Sequence, residues 1–145
     1  MQGWVITTAI GNVDRRISST RAYSPSYSFD VHSNISSGSS NTTIVTKTVN
    51  AYMISVSLWL NWFPNILGGD NLITKLLIDG GSFKDIGPDD APTFPKNTWA
   101  YRGDTTTTPY AVNRYVTTLA FACYDYIYSG ADEMFFDDIE YVIWD

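Results

Sequence analysis

The sequence predicts an all-β protein, built as an antiparallel β-sandwich or barrel. Hydrophobic residues recur with a period of two along most of the chain, as expected for strands with one buried face. No segment keeps a helical period for longer than two turns, and polar turns separate roughly eight short predicted strands. Many short strands divided by turns are typical of antiparallel sandwiches and barrels.

Three segments carry the clearest alternation. Residues 54–63 place Ile54, Val56, Leu58, Leu60 and Trp62 on one face. Residues 72–81 end in Asp-Gly, a strong turn signal, with Leu76 and Ile78 directed inward if Lys75 and Asp79 face water. Residues 115–128 place Leu119, Phe121 and Cys123 on one face and Ala120, Ala122, Tyr124 and Tyr126 on the other.

The remaining strands are predicted from shorter patterns. Segments 4–10, 26–33 and 41–52 precede the strands above, and a final strand starts at Met134. Residues 80–99 contain three prolines and several turn formers, which predicts a long irregular connection leading into a strand near Trp99.

Length and charge narrow the functional classes. A chain of 145 residues predicts one domain covering residues 1–145. The net charge of −6 and the lack of a Lys/Arg cluster argue against nucleic-acid binding, and no apolar run approaches the ~20 residues of a membrane span. Two glycosylation-type sequons at Asn34 and Asn41, and a polar surface poor in lysine, favour an extracellular or cell-surface domain excised from a larger protein.

The order of several short motifs resembles that of a known family. Gly3-Trp4 is followed by RAYSPSYSFDV, IVTKTVN, VSLWLNW, LLIDGG, a strand at Trp99, TTLAFACY and a closing MFFDDIEYV. This order resembles the jelly-roll carbohydrate-binding modules of the galactose-binding-like β-sandwich superfamily, over nearly the whole chain. The resemblance implies an antiparallel jelly-roll sandwich that binds a polysaccharide or other glycan without catalysis.

The resemblance also implies a structural calcium ion at the aspartate pair Asp137 and Asp138. In such domains one aspartate of the pair often helps to bind calcium, together with backbone carbonyls and a carboxylate of the first strand. Calcium accepts six to eight oxygen ligands in irregular geometry, so Asp14 and Asp30 are possible contributors. The alternative is a β-bulge in which one aspartate caps backbone donors without an ion. The first-strand carboxylate itself has no counterpart in this sequence.

A glycan site is predicted among outward-facing aromatic and polar residues. Sugar rings stack their C–H faces on Trp and Tyr, and Asn, Lys or Arg meet their hydroxyl groups. If the strands of Trp59 and Tyr124 are neighbours in one sheet, one groove collects these side chains. The predicted carbohydrate-binding residues are Trp59, Asn61, Lys75, Trp99, Tyr101, Arg102, Tyr124 and Tyr126, with Tyr110 as a further wall residue.

Other functions are less well supported by the sequence. Glu133 and Asp137 lie ~13 Å apart along a strand, which does not suit a pair of glycosidase carboxylates. His32 is the only histidine and is expected to be solvated, and Cys123 is expected in the core. The competing function is a structural or adhesive module of a surface filament, appendage or tail fibre, in which the outer aromatics meet neighbouring subunits or other domains of a parent protein.

Overall fold

The computed structural model describes residues 3–10, 13–18, 28–35, 40–63, 71–87, 97–126 and 130–144, and these contain nine strands. All strand pairs are antiparallel. The strands are β1 (Trp4–Ile10), β2 (Val13–Ser18), β3 (Ser28–Ile35), β4 (Ser40–Phe63), β5 (Asn71–Ile78), β6 (Gly81–Gly87), β7 (Trp99–Arg102), β8 (Tyr110–Tyr126) and β9 (Gly130–Trp144). The described ranges contain no helix that could cross a membrane.

Strand β4 connects the two layers of the fold because it belongs to both. Its first half lies between β1 and β8. Its second half lies between β9 on one side and β7 on the other. Strands β5 and β6 continue the first layer beyond β8, and β3 and β2 continue the second layer beyond β9.

The core shows that this ribbon folds back on itself. Phe121 lies opposite Val45 on β4, and Phe136 lies opposite Leu60, fifteen residues further along the same strand. A straight strand would separate those positions by about 50 Å. The rings of Phe121 and Phe136 nevertheless stack with centroids 4.3 Å apart. The two halves of β4 therefore face each other across one core, which is the two-layer arrangement of a sandwich.

The buried cluster between the layers draws on both of them. Phe29 and Trp4 add ring contacts to Phe121 at 5.8 and 5.3 Å. Its fully buried members, at no more than 2% exposure, include Val45, Met53, Val56, Leu58, Leu60, Leu76, Ile78, Ile86, Val116, Leu119, Phe121, Cys123, Met134 and Phe136. The predicted inward positions Leu76, Ile78 and Cys123 are confirmed.

Several strand predictions need correction. The segments 41–52 and 54–63 form one strand, β4, which continues through two irregularities. Asn50 adopts a left-handed φ of 52°, and the register shifts between Thr48 and Ala51 and again between Met53 and Ser55. Such bulges change the phase of the alternation without ending the strand. The predicted irregular connection contains β6, and β2 was not predicted. Strands β8 and β9 also begin earlier than expected, at Tyr110 and Gly130.

Candidate functional site

A groove of about 500 Å³ runs over the outer face of the first layer. Its lining residues Leu77, Ile44 and Tyr124 pack with Ala120 and Ala122 on β8, which are buried although they point away from the main core. Leu77 and Lys75 on β5 lie opposite these two alanines, and Ile44 on β4 lies opposite Ala122. Methyl groups between longer side chains leave a trough, so the groove follows from small residues on the central strand.

The groove combines an apolar floor with polar groups at its edge. Tyr124 and Ile73 are cross-strand partners and form one end of the lining. Lys75 makes an ion pair of 3.2 Å with Asp85 and keeps about a third of its side chain exposed. Ser82 adds a hydroxyl group. An aromatic ring beside aliphatic and cationic groups suits a ligand with both apolar faces and hydroxyls.

A tight turn holds the β5–β6 end of the groove. Asp79 and Gly80 adopt φ angles of 53° and 78°, the positive pair required by a type I′ hairpin turn. Asp79 Oδ1 accepts hydrogen bonds from the backbone N–H groups of Thr117 and Thr118, at 2.8 and 2.9 Å. The turn predicted from Asp-Gly is confirmed, and it also anchors β5 to β8 across the groove.

A second aromatic cluster lies on the outer face of the second layer. Trp59 and Tyr101 are cross-strand partners whose ring centroids are 5.5 Å apart in an edge-to-face arrangement. Asn61 lies opposite Trp99 and is 3% exposed, and its Oδ1 has no hydrogen-bond partner among the described residues. Trp59, Trp99 and Tyr101 are half-buried, so packing accounts for part of their surface.

Arg102 lies beside a buried tyrosine at the end of β7. Burial raises the pKa of Tyr110, while the charge of Arg102 and its hydrogen bond to the phenol oppose that shift. Asp104 adds to the increase in the pKa of Tyr110 and forms an ion pair of 3.6 Å with Lys84. Tyr110 is 6% exposed and belongs to the core, so its predicted place on a groove wall is wrong.

The predicted single groove divides into two places. Trp59 lies between the core residues Leu58 and Leu60 on β4, whereas Tyr124 follows the core residue Cys123 on β8. Both aromatic side chains therefore point away from one shared core, out of different layers. Their β4 register positions are far apart, because Tyr124 pairs with Thr42.

Lys75 and Tyr124 consequently remain together in the groove, without the predicted residues of β4 and β7. Trp59, Asn61, Trp99 and Tyr101 form the separate cluster on the second layer, whereas Arg102 lies opposite the core residue Leu58, on the other face of β7, so its predicted place beside Tyr101 is wrong. The backbone of Tyr126 continues β8 and pairs with Ser40 and Asn71, but its side chain lies outside the described part. Ile44, Ile73, Leu77 and Ser82 also line the groove and were not predicted from the sequence. For Ile73 and Leu77 the signal was the outward phase of β5, where residues 73, 75 and 77 alternate with the core residues.

The aspartate pair forms a β-bulge. Asp138 adopts a φ of 42°, and the pairing of β4 with β9 shifts between Ser57 and Trp59. Asp137, 9% exposed, uses its Oδ1 to accept the N–H of Asp138 at 2.8 Å. No cluster of three or more His, Cys, Asp or Glu side chains occurs among the described residues.

Calcium at this pair therefore stays a prediction. The described carboxylates supply fewer oxygens than the six to eight that calcium prefers. The side chains of Asp14 and Asp30, as well as that of His32, lie outside the described part. In the backbone register Asp30 lies opposite Phe135, two residues before Asp137.

Comparison with solved structures gives the same architecture. TmCBM61 in complex with β-1,4-galactotriose aligns with a TM-score of 0.56 and 12% identity, over 99% of this chain and 90% of that one. The CBM22-1 xylan-binding domain of Paenibacillus barcinonensis Xyn10C aligns at 0.51 and 13%, over 98% and 86%. The enzymatically active domain of bacteriophage CBA120 tailspike protein 4 aligns at 0.52 and 12%, over 99% of this chain but 20% of that one.

No family model matches the sequence, and comparison with curated proteins finds no match. At 12–13% identity the structural likeness concerns the fold alone. The chain has the antiparallel β-sandwich fold of the carbohydrate-binding modules named above.

Proposed function

We propose that the protein is a non-catalytic carbohydrate-binding module whose groove over Ala120 and Ala122 binds a glycan chain. The observation that carries this proposal is the groove itself, in which the Tyr124 ring and Lys75 border an apolar floor. Its volume of about 500 Å³ falls within the usual range of ligand sites. The sugar-binding neighbours named above support the same class of ligand.

The groove residues define how a sugar is held. A pyranose ring presents C–H groups on its face and hydroxyl groups at its rim. The face stacks on Tyr124, whose rigid ring loses little conformational entropy, and the hydroxyls accept from Lys75 or exchange hydrogen bonds with Ser82. The ion pair with Asp85 keeps Lys75 oriented before a ligand arrives.

The same lining argues against hydrolysis. Glycosidases use two carboxyl groups about 5–10 Å apart, on either side of the scissile bond. Among the described residues that line the groove, none is Asp or Glu. Binding without turnover is the function that this lining supports.

Titration calorimetry with β-1,4-galactan and xylan, extended to a panel of other polysaccharides, tests the proposal. Tyr124→Ala is expected to weaken binding about tenfold for the glycan that the wild type binds, because one stacking contact of about 1.4 kcal/mol is lost. Trp59→Ala is the matched control, because Trp59 is also a half-buried aromatic but lies on the other layer. Failure of the folded protein to retain any glycan, or loss of binding in the control alone, would refute the groove as the site.

The biological setting that fits a glycan-binding module is a larger secreted or cell-surface protein. The sequons at Asn34 and Asn41 support that setting. A structural module of a tail fibre is the second candidate, supported by the alignment with part of a phage tailspike protein. That alternative predicts stable self-association and no glycan binding, so sedimentation velocity alongside calorimetry separates the two.

A further inference from the structure

Three aromatic side chains form a row on the outer surface, apart from both clusters described above. Tyr52 on β4 pairs with Tyr115 on β8 and with Trp144 on β9. Directly opposed residues of antiparallel strands project from the same face, so all three rings share one side of the sheet. Strands are ~4.8 Å apart, which extends the row over about 10 Å across three strands.

The row is exposed although its members are large and aromatic. Tyr115 is 60% exposed, Tyr52 44% and Trp144 69%. Their chain neighbours Met53 and Val116 are fully buried in the core, which fixes the outward direction of Tyr52 and Tyr115. Packing of the core therefore does not account for the exposed rings.

One ring of the row is held in place by the protein. The hydroxyl of Tyr52 donates a hydrogen bond of 2.7 Å to the carbonyl of Asn113. That bond ties the tip of the Tyr52 side chain to β8. A ring fixed before binding loses less conformational entropy when a ligand stacks on it. Exposed Asn50 and Asn113, both with left-handed φ angles, flank Tyr52 and Tyr115 in sequence and offer amide groups nearby.

We propose that the row Tyr115, Tyr52 and Trp144 is a second binding surface of this protein, for a neutral, extended glycan chain. The inference rests on the proposed function for its class of ligand but not for its location. Thr46 pairs with Ala120, beside the groove, and Tyr52 lies six residues further along β4. Trp59 lies seven residues beyond Tyr52. Those separations correspond to ~20 Å along a strand, so the row is distinct from the groove and from the Trp59 cluster.

The size of the patch favours a glycan over a protein partner. From their exposed fractions, the three rings together with Val142 on β9 present roughly 400 Å² of apolar surface. A stable protein interface covers about 800 Å² on each partner. A narrow row matches a polymer that is one sugar wide. The net charge of −6 disfavours polyanionic glycans, which leaves a neutral chain.

Two surfaces on one domain have a consequence for affinity. A polymer that reaches both the groove and the row binds more tightly than a short oligosaccharide, because the second contact is intramolecular. A trisaccharide fills the groove alone. The ratio of polymer to trisaccharide affinity therefore reports on the row.

The test uses the full chain and the polysaccharide that the wild type retains, with its trisaccharide as the short ligand. Tyr115→Ala and Trp144→Ala remove exposed rings, so both variants are expected to fold. Each is expected to weaken polymer binding about tenfold and to leave trisaccharide binding unchanged. In a Tyr124→Ala background the residual polymer binding is expected to disappear when Tyr115→Ala is added. Acrylamide quenching of tryptophan fluorescence gives a second readout. The polymer should protect the exposed Trp144 from quenching in the wild type, and this protection should be absent in Trp144→Phe.

The outcomes separate this inference from the proposed function. If Tyr115→Ala and Trp144→Ala bind the polymer with wild-type affinity while Tyr124→Ala binds it more weakly, the row is overturned and the groove is kept. Full loss in the row variants with no effect of Tyr124→Ala supports the row and overturns the groove. No binding of any glycan overturns both. Self-association of the wild type that Trp144→Ala abolishes identifies the row as a contact between copies and also overturns the inference.

Discussion

Replacing Asp79 tests whether the β5–β6 turn holds the groove in the way the structure describes. This residue has two separable roles. Its backbone occupies the left-handed region at φ 53°, and its carboxylate accepts two backbone N–H groups of β8. Asp79 is exposed, so substitution leaves no cavity.

The magnitudes of the two roles can be estimated separately. Two hydrogen bonds to an exposed carboxylate contribute roughly 2 kcal/mol together. A left-handed alanine costs roughly 1 kcal/mol more than a residue that tolerates this region. Asp79→Ala should therefore destabilise the fold by about 3 kcal/mol and Asp79→Gly by about 2. Asp79→Asn keeps an acceptor oxygen and tolerates the left-handed conformation, so its cost should stay below about 1 kcal/mol.

Urea unfolding followed by tryptophan fluorescence measures this series. With a slope of about 2 kcal/mol per molar urea, the midpoint should fall by about 1.5 M for Asp79→Ala, about 1 M for Asp79→Gly and less than about 0.5 M for Asp79→Asn. Equal midpoints for the Ala and Gly variants would contradict the left-handed backbone. A midpoint for Asp79→Asn as low as that of Asp79→Ala would contradict both roles.

Three further predictions concern other sites. Because burial holds the folded-state pKa of Tyr110 above its unfolded value, the associated stability is complete below about pH 10 and is lost as the pH rises through the raised pKa; Tyr110→Phe should flatten this alkaline loss in urea midpoints. Calcium that binds only the folded state adds about 2.7 kcal/mol to the free energy of unfolding when it is present at about 100 times its Kd. It should therefore raise the Tm by several degrees, and Asp138→Asn should abolish this rise. A Tm that changes with neither calcium nor EDTA would argue for the bulge alone. A Cβ added at Gly103 overlaps the Thr108 carbonyl oxygen, whereas a Cβ added at Gly81 makes ordinary contact. Gly103→Ala should therefore lower the Tm by several degrees, and Gly81→Ala should leave it nearly unchanged. Equal Tm values for the two variants would exclude the close approach at Gly103.

Features encoded over a few residues were predicted well from the sequence. The alternation in β8 assigned Phe121 and Cys123 to the core and Tyr124 to the outer face. Asp79-Gly80 predicted its hairpin, because few dipeptides accept two successive positive φ angles. These features depend on sterics and on the two-residue period, both of which are visible in a short window.

The length of β4 was not predictable in the same way. Its alternation changes phase near Asn50, and a change of phase in a sequence looks like the end of a strand. Only the register against β8 and β9 shows that the strand continues through its bulges. Strand β2 and the exposed strand β6 carry little hydrophobic alternation for a similar reason, since their pairing depends on neighbours elsewhere in the chain.

The sequence by itself determined the all-β class, the hairpin turn and the outward direction of Lys75 and Tyr124. Only the tertiary structure decided which outward residues meet. Trp59 and Tyr124 carry the same local signal, yet the fold-back of β4 sends them out of different layers. The same strand brings Tyr52 between Tyr115 and Trp144. Proximity on a sheet is set by register between residues distant in the chain, and an alternating pattern contains no information about that register.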